Sequence, residues 1–160
     1  MAYTAVPTVN TSDSWTAADH NTYIKDNLAY LKTAADTRVI TLQVIPFGTN
    51  VTTGDAKFGF RVPAVMDGYV LSAAIVAVQS AGTTGTTDIQ IRNVTKAQDM
   101  LSTKATIDSG EFSSYTGATP LVIDTAKDDV STNDMIAIDV DAVSSTPPTG
   151  LYATLTFTKA

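Results

Sequence analysis

Gly68-Tyr69-Val70-Leu71-Ser72-Ala73-Ala74-Ile75-Val76-Ala77-Val78-Gln79 is the stretch on which the fold turns. Read as an extended strand, it offers Val70, Ala74, Val76 and Val78 on one side. Leu71, Ala73, Ile75 and Ala77 fall on the other. A strand apolar on both faces sits at the centre of a sandwich, or has its outer face covered by another element or another subunit. The segments around it keep the same period of two. Val39–Phe47 is β-branched and apolar, and Ala56–Val62 alternates around Phe58, Phe60 and Val62. Thr86–Val94 places Ile89 and Ile91 inward with Gln90 and Arg92 outward. Met135–Val143 sets Ile136, Ile138 and Val140 against Asp139 and Asp141, and Leu151–Thr158 alternates Leu151, Ala153, Leu155 and Phe157 with Tyr152 and three threonines. Weaker strand signals lie at Met100–Leu101, Thr106–Asp108 and Leu121–Ile123. Strands separated by Gly, Pro and Ser/Thr turns, with no helical crossover, predict a mainly β chain. The expected architecture is an antiparallel, jelly-roll-like β-sandwich.

The first 38 residues read differently. Residues 1–14 are polar and broken by Pro7, which predicts an extended arm. Residues 15–37 carry a helical period: Ala17, Ile24, Leu28, Leu31 and Ala35 share one stripe, which Tyr23, Tyr30 and Ala34 widen. Thr16 with Asp19 three residues later is a helix-start signal. Two readings of the stripe stay open. The helix can lie on the β domain of its own chain. Alternatively it forms a short heptad seam between chains, with Ala17, Ile24 and Leu31 at one core position and Asn21, Leu28 and Ala35 at the other. The expected organisation is therefore an arm and helix over residues 1–38, for assembly or anchoring, and a β head over residues 39–160.

Composition narrows the function. The chain has 160 residues, 44% hydrophobic and 16% charged, enough to bury one core. Its formal net charge of −6 disfavours nucleic acid, whose phosphates need Lys and Arg. With no cysteine, disulfides, thiolate metal sites and cysteine nucleophiles are excluded. A single histidine excludes a multi-histidine metal site within one chain. No apolar run is long enough to span a membrane, and no secretory signal is visible. Ala81-Gly82-Thr83-Thr84-Gly85-Thr86 lacks the lysine and the following helix of a phosphate loop, and reads as a hairpin turn. Asp128, Asp129, Asp134, Asp139 and Asp141 lack the spacing of a calcium loop and read as acidic surface. His20 has no nucleophile elbow to serve and reads as a polar interface contact. Trp15 reads as a staple at the helix start. No enzymatic activity, cofactor or metal is expected.

The stretch Ser14-Trp15-Thr16-Ala17-Ala18-Asp19-His20-Asn21-Thr22-Tyr23-Ile24-Lys25-Asp26-Asn27-Leu28-Ala29-Tyr30-Leu31 resembles an N-terminal segment that recurs in structural proteins of tailed bacteriophages. The body is similar to the β head domains of such proteins, at Arg61-Val62-Pro63-Ala64, Ala81–Thr87, Ile89-Gln90-Ile91-Arg92 and Asn133-Asp134. The resemblance implies a virion component: a capsid decoration protein, a head fibre or a small tail fibre, often a trimer of jelly-roll heads. It implies manufacture in the host cytoplasm, a place on the outer surface of the virion, and the major capsid protein or another virion protein as partner. Residues expected at the oligomer or anchoring interface are Tyr3, Val6, Val9, Trp15, Asn21, Ile24, Leu28 and Leu31. In the arm, Tyr3, Val6 and Val9 would anchor it as a strand added to a partner's sheet edge. A receptor- or glycan-binding module is the alternative, with loops Thr49–Asp55, Ser109–Pro120 and Ser144–Gly150 carrying specificity.

Overall fold

The computed structural model describes residues 16–160. The chain divides into two compact units between Thr37 and Arg38, and each is described by itself. The first contains helix α1, Ala17–Ala35. Its last turn carries Lys32, whose charge suits the negative end of the helix dipole. The Asp36 N–H donates to the Lys32 carbonyl at 2.9 Å and closes the helix. Among the described residues, no helix is long and apolar enough to cross a membrane.

The second unit is built of antiparallel sheets. One sheet, A, has the order β1 (Thr37–Asn50), β11 (Thr149–Lys159), β3 (Tyr69–Ser80), β9 (Asp129–Val130). The other, B, has the order β2 (Gly54–Arg61), β10 (Met135–Ala142), β4 (Thr87–Asn93), β5 (Gln98–Asp99), with β7 (Ala105–Ile107) also paired to β4. A small ladder joins β6 (Leu101–Thr103) to β8 (Val122–Ile123). The protein is thus mainly β, as the period-two pattern predicts, and its sheets form a sandwich. Ile89, Ile91, Ile136, Ile138, Leu151, Leu155 and Phe157 are all fully buried in its core. Across that core Phe60 of sheet B meets Phe157 of sheet A edge to face, with ring centroids 6.3 Å apart.

The central strand departs from simple alternation. Its buried residues are Tyr69, Leu71, Ala74, Val76, Ala77 and Val78; all but Ala77 belong to the core cluster, so the inward parity changes between Leu71 and Ala74. The reason is a bulge: Thr156 pairs with Ala73, but Phe157 pairs with Leu71, which leaves Ser72 over. The sequence pattern put Val70, not Leu71, on the same side as Val76; the extra residue exchanges them. A second departure is Gln90, expected outward and solvated, which is buried. The β6 ladder covers it: its Nε2 donates to the Leu101 carbonyl at 3.0 Å, and its Oε1 accepts from the Leu101 N–H at 3.1 Å. The amide therefore substitutes for a strand partner, satisfying backbone groups that would otherwise be buried unpaired.

Candidate assembly surfaces

Helix α1 presents Ile24, Leu28 and Leu31 at 51%, 60% and 59% exposure. Positions i, i+4 and i+7 lie on one face, so these three side chains form a continuous apolar stripe. Asn21, the polar residue at a core position of the expected heptad seam, is exposed on the same helix one turn before Ile24. Tyr3, Val6, Val9 and Trp15 lie outside the described residues, as does the rest of the arm.

The outward side of sheet A is the second exposed surface. A row crosses three strands: Thr41 Oγ1 and Thr154 Oγ1 share a hydrogen bond of 3.2 Å, and Thr154 is the register partner of Ile75. Ile75 is 41% exposed. Beside this row lies a shallow hollow of about 370 Å³, lined by Thr41, Gln43, Phe47 and Tyr152. Phe47 and Tyr152 meet edge to face at 6.4 Å. Phe47 is held by what lies beneath it. Gly150 has φ +59°, and a Cβ placed there would stand 2.7 Å from Phe47 Cδ1. The ring occupies the room that glycine leaves. At the end of β1, the Gly48 N–H donates to Gln79 Oε1 at 2.6 Å, tying that end of the strand back to β3.

Sheet B is charged on its outer side, and the acidic residues expected to be solvated surface are mostly drawn into pairs. Asp139 is buried. It accepts from Arg92 Nε at 2.5 Å, from Arg92 Nη2 at 3.1 Å and from the Ala56 N–H at 2.6 Å. This fork joins β4, β10 and β2, and hydrogen bonding to Asp139 pushes the Arg92 guanidinium further up from its already high value. Asp134, also buried, accepts from Asn93 Nδ2 at 2.8 Å and from the Ser131 N–H at 2.9 Å, with Lys96 Nζ 3.5 Å away. Burial alone would raise its pKa. The bonds from Asn93 and Ser131, with the Lys96 charge, outweigh that and hold the carboxyl below the usual range. Lys96 also pairs with Asp129, and Lys104 with Asp141 at 2.8 Å. Burial pushes the Asp128 carboxyl up instead. Among the described residues no group of three or more His, Cys, Asp or Glu side chains is placed to hold a metal ion.

The loop following β7 carries the third exposed feature. The Val78 N–H donates to the Phe112 carbonyl at 2.9 Å, and the Ser114 N–H to the Val76 carbonyl at 2.9 Å. This loop therefore lies along β3, with Ser113 bridged to Ala77. Phe112 at 57% and Tyr115 at 81% exposure flank the docked segment. Both aromatics lie in the loop Ser109–Pro120, one of those expected to carry specificity in the receptor-binding alternative. The sequence did not indicate that Phe47 and Tyr152, more than a hundred residues apart, would meet. No family model, curated protein or solved structure matches the chain.

Proposed function

We propose that this chain is a non-enzymatic structural protein of a tailed-bacteriophage virion, a capsid decoration protein or head fibre on the outer head surface, and that it acts as a homotrimer. The observation that carries this reading is the apolar stripe of Ile24, Leu28 and Leu31, each more than half exposed on α1. Three leucine-class side chains left half exposed forgo roughly half of the 1.5–3 kcal/mol each that full burial yields, which packing against copies of the same helix recovers. The phage-like segment Ser14–Leu31 contains that stripe, so the resemblance and the physical signal fall on the same residues. The strand order supports a jelly-roll winding of the head. Strands β1 to β4 alternate between the sheets, β10 returns between β2 and β4, and the last, β11, returns between β1 and β3. The arm, residues 2–14, would join the major capsid protein or another virion protein by strand addition through Tyr3, Val6 and Val9.

Two experiments test the reading. Immunogold labelling of particles purified from a culture that produces the chain should decorate heads; label confined to tails, or none, overturns the head assignment. Sedimentation equilibrium should give a trimer that Leu28→Asp dissociates, and a wild-type monomer at micromolar concentration overturns the trimer. The exposed Phe112 and Tyr115 favour a second reading, a receptor- or glycan-binding module on a small tail fibre. In that case Tyr115→Ala abolishes binding to host cells, and label appears on tails.

A further inference from the structure

Sheet A has an outward face unlike the rest of this acidic protein. Strands β1, β11 and β3 contain no Asp or Glu, and their only charged residues are Arg38 and Lys159. Both belong to one end of the sheet: the Arg38 guanidinium lies 5.7 Å from the Tyr69 ring, and Lys159 is the register partner of Tyr69. Sheet B, by contrast, carries Asp55, Asp88, Arg92, Asp139 and Asp141 among its strands. On the uncharged face Val39, Phe47 and Ile75 are 61%, 58% and 41% exposed, with Thr41, Gln43 and Thr154 among them.

We propose that this face is covered by further copies of the same chain: the β heads of the oligomer meet through the outward side of β1, β11 and β3. The proposal rests on the self-assembly argued above and adds where the heads touch. Charge is the first argument for a second copy. Each chain carries a formal net charge of −6, so identical chains repel, and a symmetric contact brings a charged group near its own image. Loss of charge from one face of one sheet removes that penalty where it would be greatest. Chemistry is the second. Threonine hydroxyls and glutamine amides both donate and accept, so a face built of them can satisfy its own copy. A small neutral ligand is a poorer occupant. It could fill the hollow at Phe47 and Tyr152, but it would leave Val39 and Ile75 in water.

The chain has no cysteine, so a single introduced thiol reports the contact in the full-length protein. Thr154→Cys is to be labelled with a maleimide reagent in the assembled protein and in the Leu28→Asp background. Val94→Cys, in the turn after β4, serves as control. The expected result is labelling of Thr154→Cys at least tenfold slower in the oligomer than in the dissociated variant, with Val94→Cys equally reactive in both. Ile75→Glu, folded by circular dichroism, should weaken the oligomer at least tenfold. Equal labelling of Thr154→Cys in both states, with an intact oligomer in Ile75→Glu, overturns the proposal and leaves self-assembly through the helix standing. A wild-type monomer overturns both.

Discussion

The Ser72 hydroxyl donates to the Thr156 carbonyl at 3.1 Å, at the point where β3 carries one residue more than β11. A bulge interrupts the ladder locally. Ser72 gives the Thr156 carbonyl a side-chain donor at that interruption. The consequence reaches the core. With the bulge in place, Leu71 and Phe157 turn inward together, and Ile75 is left on the outward face beside Thr154.

Removal of that hydroxyl tests the link. Ser72→Ala should lower stability by about 0.5–1.5 kcal/mol, the worth of one hydrogen bond. Urea denaturation reads it as a lower midpoint with unchanged slope. A change in slope would instead show that the register of β3 had shifted.

Gly150 and Phe47 should behave as a coupled pair. Gly150→Ala puts a Cβ where φ is +59° and where the Phe47 ring already sits, so it should cost about 1–2 kcal/mol for the backbone alone, with the ring's displacement added. Phe47→Ala in that background relieves the contact with the ring but not the backbone strain. The double variant should therefore be more stable than the sum of the two single effects, a non-additivity that thermal melts of all four proteins would reveal.

Breaking the Asp139 fork should be costlier than losing an ordinary surface ion pair. Arg92→Met leaves a buried carboxylate with the Ala56 N–H as its remaining donor. The expected loss is about 2–3 kcal/mol, below the roughly 3–5 kcal/mol of a fully buried pair because Arg92 keeps partial contact with solvent. Denaturant titration of the two proteins at neutral pH measures it.

Asp134 sets a direction for the response to acid. Its folded carboxyl titrates below the ordinary value, so as pH falls the unfolded chain takes up its proton first. The stabilisation is fully present above the ordinary pKa of about 4, and is lost as pH drops through the lower folded value. Asp134→Asn keeps an oxygen acceptor for Asn93 and Ser131 but has nothing to titrate. Its unfolding free energy should fall less between pH 6 and pH 3, both rough choices bracketing that pKa, than that of the wild type.

The head should fold without the segment before it. Every residue of its buried hydrophobic cluster lies between Leu42 and Phe157. Residues 39–160 expressed alone should give a β-type circular dichroism spectrum and a cooperative melt. A random-coil spectrum would show that the head needs the first 38 residues.

Period-two alternation was readable wherever one face of a strand meets the core. Leu151, Ala153, Leu155 and Phe157 are all buried as their spacing required, because side chains on a pleated strand have no other way to divide. The helical stripe of Ile24, Leu28 and Leu31 was equally plain, since it depends on nothing beyond the pitch of the helix. The sequence also marked the stretch Gly68–Gln79 as needing cover on two sides. It could not decide where the period slips. The bulge at Ser72 arises from pairing with a strand more than eighty residues later, and only that pairing shows Leu71 facing in and Val70 displaced. Gln90 was misplaced for a similar reason: its burial depends on the short β6 ladder, too brief for any periodicity. The uncharged face of sheet A, with its row from Thr41 through Thr154 to Ile75, is tertiary altogether. Each strand taken singly contains its share of threonine and valine. Only their assembly side by side gathers the residues without charge into one surface and keeps Arg38 and Lys159 to one end of the sheet.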